Sequence, residues 1–276
     1  MTVDPRAREA AVLQRLAAAE RVFCFLDYDG TLAPLAATPN EAVPLPGTAA
    51  LLRQLAAAPG VLVAVVSGRT IVDVRRLLTV PGIFYVGIHG LELLPPLRVS
   101  PGGAEKLSDR AAELRAALSA MQQQLQRALG TRQGILIEDK ALALACHYRL
   151  ASRADAAAAR ETVAAVARAY QRRGVKVTVT HGHEVIEIRP TDANKGRTVC
   201  ALLAAYAPGA LPVYIGDDRT DEDAFACLPP ESITIRVGAS VPSRARFRLA
   251  APADVYSFLR ALLDCRLSGG RADGAR

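Results

Sequence analysis

Val22-Phe23-Cys24-Phe25-Leu26-Asp27-Tyr28-Asp29-Gly30-Thr31-Leu32 runs an apolar segment straight into two carboxylates one residue apart. The apolar residues ahead of Asp27 are too few for a helix and fit a strand buried on both faces. Asp27 then stands at the carboxyl end of that strand, the edge at which open α/β sheets bind ligands. In extended chain Asp27 and Asp29 point one way and Tyr28 the other. Two unpaired carboxylates this close repel and share a proton unless a cation lies between them. A hard divalent ion such as Mg²⁺ is the simplest remedy. Gly30 allows the sharp exit from the strand. Taken alone, the same letters also describe a strand end running into a solvated polar turn.

Stretches further along shift that balance. Val61-Leu62-Val63-Ala64-Val65-Val66 is a second buried strand and stops at Ser67-Gly68-Arg69. A hydroxyl and free N–H groups ahead of a helix over 71–78 could hold an anion. As an isolated feature, Ser67 is simply a cap or turn residue. A third short strand, 84–87, ends in Ile88-His89-Gly90. Asn194-Lys195-Gly196 opens a helix to about Tyr206, and a strand at Val213-Tyr214-Ile215 ends in Gly216-Asp217-Asp218-Arg219-Thr220-Asp221-Glu222-Asp223. An acidic cluster directly after a buried strand again fits a cation site. An acidic helix N-terminus, favoured by the macrodipole, accounts well for 221–223 and poorly for Asp217 and Asp218.

Around these segments the pattern alternates. Helices are expected over 7–19, 48–58, 222–227 and 254–263, and a last strand over 232–237. Pro34, Pro39, Pro44 and Pro46 mark a loop over the strand ends. Strand-loop-helix repetition implies a parallel sheet with right-handed crossovers. Pro95-Pro96 and Pro101-Gly102-Gly103 read as a linker. Beyond it come a helix (108–129), a hairpin (135–139 and 142–148), a helix (154–172) and two strands (176–180 and 184–189) turning at Gly182. That order suggests an inserted α+β unit with an antiparallel sheet. The expected domains are 1–100 with 190–276, and 101–189. Glu138 and Lys140 share a face of the first inserted strand, and Glu184 and Glu187 lie on opposite faces of the last. A solvated sheet face is the ordinary explanation for such groups. The Gly- and Arg-rich stretch after Arg266 is expected to be disordered.

With 276 residues there is room for a sizeable core, and 51% hydrophobic with 22% charged residues marks an ordinary soluble globular chain. The net charge of +7 suits an anionic substrate, but the basic residues are spread out, so nucleic acid is not expected as a partner. Aromatics at 5% and the absence of Trp leave no base-stacking platform. Cys24, Cys146, Cys200, Cys227 and Cys265 are scattered and form no CxxC, and read as reduced core residues of a cytoplasmic protein. Residues 1–20 read as neither secretory signal nor membrane anchor, and no apolar run is long enough to span a membrane. Lysine occurs only at 106, 140, 176 and 195 among 34 basic residues. A compact ammonium can do what a planar guanidinium cannot, and two of the four, Lys140 and Lys195, fall in stretches singled out on other grounds.

Phosphoryl transfer needs an in-line nucleophile, neutralisation of the equatorial oxygens and proton delivery to the leaving oxygen. The segment ends supply each. Asp27 can attack phosphorus and form an aspartyl phosphate. Mg²⁺ would be held by Asp27, the Asp29 carbonyl and Asp217, with Asp218 among the metal acids. Lys195 adds positive charge, Ser67 a hydrogen bond, and Asp29 can give and later take a proton.

The order Asp-x-Asp-Gly-Thr-Leu, Ser-Gly-Arg, Lys, Gly-Asp-Asp resembles the haloacid dehalogenase superfamily of phosphatases. Gly87-Ile88-His89-Gly90, Glu138-Asp139-Lys140, His147-Tyr148-Arg149 and Gly-Asp-Asp-Arg-Thr-Asp-Glu at 216–222 are similar to its trehalose-6-phosphate phosphatase family. The likeness runs from about Phe23 to Leu263. It implies a Rossmann-like parallel-sheet core with an inserted α+β cap, and Mg²⁺-dependent hydrolysis of trehalose 6-phosphate. It also implies that Glu138, Lys140 and Glu187 bind glucose hydroxyls from the cap, with Gly68, Arg69 and His89 near where the substrate comes in. His183 departs from the pattern, where a basic residue, often Lys, is expected. Phosphatases of other sugar phosphates share the core motifs, and a non-catalytic sugar-phosphate-binding domain could keep the fold. A receiver-type signalling domain is disfavoured, since such domains are small and carry no inserted unit. Association with a trehalose-phosphate synthase is left open.

Overall fold

A computed structural model of the chain describes residues 5–96, 109–140, 142–191, 193–239 and 241–269. The chain enters through α1 (Pro5–Ala18), β1 (Val22–Leu26), α2 (Thr48–Ala57), β2 (Val61–Val66), α3 (Ile71–Leu77), β3 (Phe84–Gly87) and β4 (Glu92–Leu94). It leaves for α4 (Asp109–Leu129), β5 (Leu136–Asp139), β6 (Leu144–His147), α5 (Arg153–Gln171), β7 (Val177–His181) and β8 (Val185–Pro190). It returns in α6 (Lys195–Tyr206), β9 (Leu211–Gly216), α7 (Glu222–Cys227), β10 (Ile233–Val237), β11 (Phe247–Leu249) and α8 (Pro252–Gly269).

The larger sheet runs β11-β10-β9-β1-β2-β3-β4. Every neighbouring pair is parallel except β3 with β4. β1 lies between β2 and β9 and is buried along its whole length. Its alternation explains why. Val22, Cys24 and Leu26 join Leu16, Leu51 and Leu259 in one layer, and Phe23 and Phe25 join Phe84, Tyr214 and Val199 in the other. Full burial of a side chain of this size stabilises by about 1.5–3 kcal/mol. Chain order departs from β1 in both directions, which is the topological switch point where such sheets open a crevice.

The smaller sheet, β5-β6-β8-β7, is antiparallel throughout. One face, through Leu144, Cys146, Ile186 and Ile188, packs with Leu118, Met121 and Val163 of α4 and α5. Register sets Glu138 opposite Ala145, Ala145 opposite Glu187, and Glu187 opposite Thr180, so the other face carries one row across all four strands. That face is not solvated as its polar letters suggest, because Lys140 and Glu187 are buried.

After β3 the backbone turns left-handed at Ile88 (φ 46°), His89 (φ 54°) and Gly90 (φ 107°). For a β-branched residue such as Ile88 this is a true outlier. Ile88 N donates to Arg69 O at 2.9 Å and His89 N to Ser67 O at 3.0 Å, which pins the turn onto the loop after β2. Ile88 then packs with Leu142 and Ala143, next to β6 of the smaller sheet.

The α/β core with an inserted α+β unit is the expected architecture, and several details differ. β4 and β11 have three residues each and were not expected from their mixed letters. Pro190 pairs with Val177 inside β8 rather than following it. Cys200 and Cys227 form a disulfide between α6 and α7, so the expectation of five reduced cysteines is corrected; Cys24, Cys146 and Cys265 are free. Nothing in the spacing signalled this, since 27 residues separate the pair. α8 continues past Arg266 to Gly269. The expected linker residues 101–103, the hairpin residue Ala141 and the tail beyond 269 lie outside the described residues. Among the described residues no helix is long and apolar enough to cross a membrane.

Candidate active site

β1 and β9 are parallel neighbours in register, Leu26 opposite Ile215, so the residues that follow them leave at the same edge. Asp27 and Asp217 are those residues. Asp27 N donates to Ile215 O at 2.9 Å, which fixes the first acid against the second strand. Asp221 joins them from the turn before α7, and one oxygen of each of the three carboxylates lies within 4.8 Å of the others. Lys195, the first residue of α6, is buried among them. Its Nζ donates to Asp27 Oδ1 at 2.7 Å and to Asp221 Oδ1 at 2.8 Å. Asp221 is further held by the Tyr214 hydroxyl at 2.7 Å and by Asp218 N, which donates to its Oδ2 at 2.9 Å.

One ammonium against three buried carboxylates leaves excess negative charge. Burial first, then Asp221, pushes the Asp27 carboxyl up to about 7 despite Lys195. Burial, then Asp27, holds Asp217 well above the ordinary carboxyl range. Burial works against the Lys195 charge, but Asp221 and Asp27 outweigh it, and its pKa is raised. Asp217 Oδ1 is buried with no hydrogen-bond partner. An orphaned carboxylate oxygen inside a cluster short of positive charge fits a divalent cation. Asp217 and Asp27 are the acids free to hold one, since Asp221 already accepts bonds on both oxygens. Gly30 (φ 74°) sits so close to Asp217 that an added Cβ would collide with its carboxylate.

Asp29 faces the same cavity and meets Arg69 in a two-pronged ion pair, Nε to Oδ2 at 2.6 Å and Nη2 to Oδ1 at 2.6 Å. The guanidinium also lies over the Tyr28 ring, 5.1 Å from its centre. Tyr28 points into the core as the alternation requires, its hydroxyl donating to Ala42 O at 2.8 Å.

The smaller sheet closes the other side of this cavity with Glu138, Lys140 and Glu187. Lys140 Nζ donates to Glu187 Oε1 at 2.6 Å, and His89 Nε2 lies 2.7 Å from Glu187 Oε2. His147 Nε2 lies 2.7 Å from Glu138 Oε2. Burial acts to raise the Glu187 carboxyl, but Lys140 and His89 outweigh it and hold it well below the ordinary range. For Glu138, burial is likewise outweighed, by His147 and Lys140, and its pKa is lowered.

The profile of the trehalose-phosphatase family matches residues 25–253. The chain belongs to the trehalose-phosphatase family. A trehalose-phosphate phosphatase of Mycobacterium marinum is 38% identical over 243 residues, covering 85% of this chain and 59% of that protein. One of Mycobacterium tuberculosis is 37% identical over 268 residues, covering 94% of this chain and 65% of that protein. The chain thus spans about three fifths of the length of the curated relatives it matches. Among solved structures, the C-terminal domain of a Candida albicans trehalose-6-phosphate phosphatase superposes with a TM-score of 0.79 at 23% identity, over 93% of this chain and 96% of that one, and shares the fold. An Aspergillus fumigatus trehalose-6-phosphate phosphatase superposes with a TM-score of 0.64 at 28% identity, over 95% of this chain and 98% of that one.

For this trehalose-phosphatase family member, the residues singled out in the sequence converge unevenly. Asp27, Asp29, Gly68, Arg69, His89, Glu138, Lys140, Glu187, Lys195, Asp217 and Asp218 all line one cavity. Ser67 does not; it is buried, and its Oγ accepts from Arg69 N at 3.1 Å. Asp218 is half-buried, its Oδ2 3.2 Å from where a Cβ on Gly182 would be, and the three acids whose oxygens gather are Asp27, Asp217 and Asp221. Sequence reasoning passed over Asp221 because an acidic helix start explained it equally well. It also passed over Thr180, whose buried hydroxyl on the cavity wall has no hydrogen-bond partner. His183 lines the cavity from the β7–β8 turn.

Proposed function

We propose that the chain hydrolyses trehalose 6-phosphate to trehalose and inorganic phosphate, with Mg²⁺ as its metal. One observation carries this conclusion: the Asp27–Lys195–Asp217 group and the Glu138–Lys140–Glu187 group face each other across one cavity. The first suits a phosphoryl group, and the second offers carboxylate and ammonium partners to sugar hydroxyls.

In the first step an Asp27 oxygen attacks phosphorus, the bond to the sugar oxygen breaks, and Asp29 gives that oxygen a proton. In the second, Asp29 takes a proton from water, the water oxygen attacks the aspartyl phosphate, and the bond to Asp27 breaks to release phosphate. Lys195 steers Asp27 and offsets charge on the phosphoryl oxygens. Arg69 orients Asp29 through its two-pronged contact for the second step. For the first, the pair must loosen, and an arriving sugar phosphate can draw the guanidinium onto its own anionic oxygens. A divalent cation held by Asp27 and Asp217 would offset the negative charge of the acids and the phosphate when bound.

The test is phosphate release from trehalose 6-phosphate with and without Mg²⁺, beside sucrose 6-phosphate and a mannosyl phosphate. Metal-dependent turnover favouring trehalose 6-phosphate is expected. Preference for another sugar phosphate would reassign the substrate, and no turnover of any would leave a binding domain. A cytoplasmic location belongs to the same proposal; the three free thiols favour it, the Cys200–Cys227 disulfide weighs against it, and cell fractionation tests it.

A further inference from the structure

The left-handed turn at Ile88-His89-Gly90 takes no part in the two steps proposed above, yet its backbone is strained at two non-glycine residues in succession. Strain of this kind persists where surrounding contacts impose it, and it gathers at functional positions. The turn sends two side chains toward the smaller sheet. Ile88 packs against Leu142 and Ala143, and the His89 ring reaches Glu187 of β8. Between them the ring rests on Gly68: a Cβ there would lie 2.6 Å from Cε1 and 2.7 Å from Nε2 of His89. His89 thus joins the loop after β2 to a carboxylate on the facing wall. Its own environment fits a neutral donor, because burial lowers its pKa against the pull of Glu187 and Nδ1 has no partner.

We propose that His89 is a positioning residue for sugar selectivity: seated on Gly68, it donates to one oxygen of Glu187 while Lys140 takes the other, and so fixes the carboxylate plane that the sugar meets. Gly68 then serves as the seat of the ring rather than only as a backbone contact for substrate. The proposal rests on the sugar-phosphatase function proposed above and adds a residue that acts through Glu187 without touching the sugar.

The test is a double-mutant cycle of His89→Ala and Glu187→Ala, read as kcat/KM on trehalose 6-phosphate and on p-nitrophenyl phosphate. On trehalose 6-phosphate the loss in H89A is expected to be roughly tenfold, as for a lost bond to a charged partner, and several times smaller on the aryl phosphate. In the E187A background, H89A should add less than about twofold, because the partner it acts on is gone. His89→Gln, whose amide can donate from near the same place, should recover most of the loss, and Gly68→Ala should mimic H89A. Losses that multiply across the cycle, equal losses on both substrates, or an H89Q no better than H89A would overturn the proposal. If the unaltered protein prefers another sugar phosphate, the substrate assignment fails separately. The same cycle on that compound then decides the role of His89.

Discussion

Asp27 is a buried charge crowded by Asp217 and Asp221, and in the proposed reaction it is also the attacking group. Asp27→Asn keeps the shape and a hydrogen-bond acceptor for Lys195 but removes the nucleophile. Turnover should fall by roughly 10⁴-fold or more, while thermal melting moves little or upward because a repelling charge is lost. Surviving hydrolysis would show that another group attacks phosphorus. Gly30 tests the neighbouring acid. At φ 74° a side chain is strained, and its Cβ would strike the Asp217 carboxylate. Gly30→Ala should cost about 1–3 kcal/mol in chemical denaturation and weaken Mg²⁺ activation further, since Asp217 must move. Activation by Mg²⁺ at the unaltered concentration would mean that Asp217 is not a ligand.

α6 aims Lys195, and Asn194 starts the helix: its Oδ1 accepts from Arg197 N at 2.9 Å and its Nδ2 donates to Asp223 Oδ2 at 3.0 Å. Asn194→Ala should cost about 1 kcal/mol of stability from the lost cap and lower kcat, as Lys195 loses its fixed approach to Asp27. A stability loss with kcat unchanged would confine Asn194 to capping. Elements of this kind were legible in the sequence where burial is two-sided. β1 and β2 are unbroken apolar runs that no helix of that length explains, and the chemistry stands at their ends. β4 and β11 were not legible, because three-residue strands with exposed or charged members resemble loop. The Arg69–Asp29 pair was hidden for another reason. Periodicity reports which face a residue takes, not which of thirty arginines will cross to it from 40 positions away. Asp221 was obscured by a second explanation that was just as physical.

Across the molecule, the crowded acids make stability depend on pH and metal together. Asp27 has a carboxyl pKa near 7 in the folded protein against an ordinary 3.8, so the folded state keeps a proton that the unfolded chain gives up. Stability without metal should therefore fall as pH rises from about 4 to about 7, and Asp217, shifted the same way, adds to the fall. Glu187 acts oppositely at lower pH: its contribution is present above the ordinary carboxyl value and lost as pH falls through its depressed one. A cation competes with the protons on Asp27 and Asp217, so Mg²⁺ should raise the melting temperature more at pH 8 than at pH 5. An equal rise at both would remove the acids from the metal site. The parallel sheet has one more consequence. Every group invoked above follows the carboxyl end of a strand or faces it, so none of them stands on the opposite rim. Gly82 (φ 81°) and Gly209 (φ 78°), in the turns before β3 and β9, would strain any side chain, but Pro81 and Pro208 beside them are exposed. Tethers or fluorophores attached there would immobilise or track the molecule with its working mouth left unobstructed.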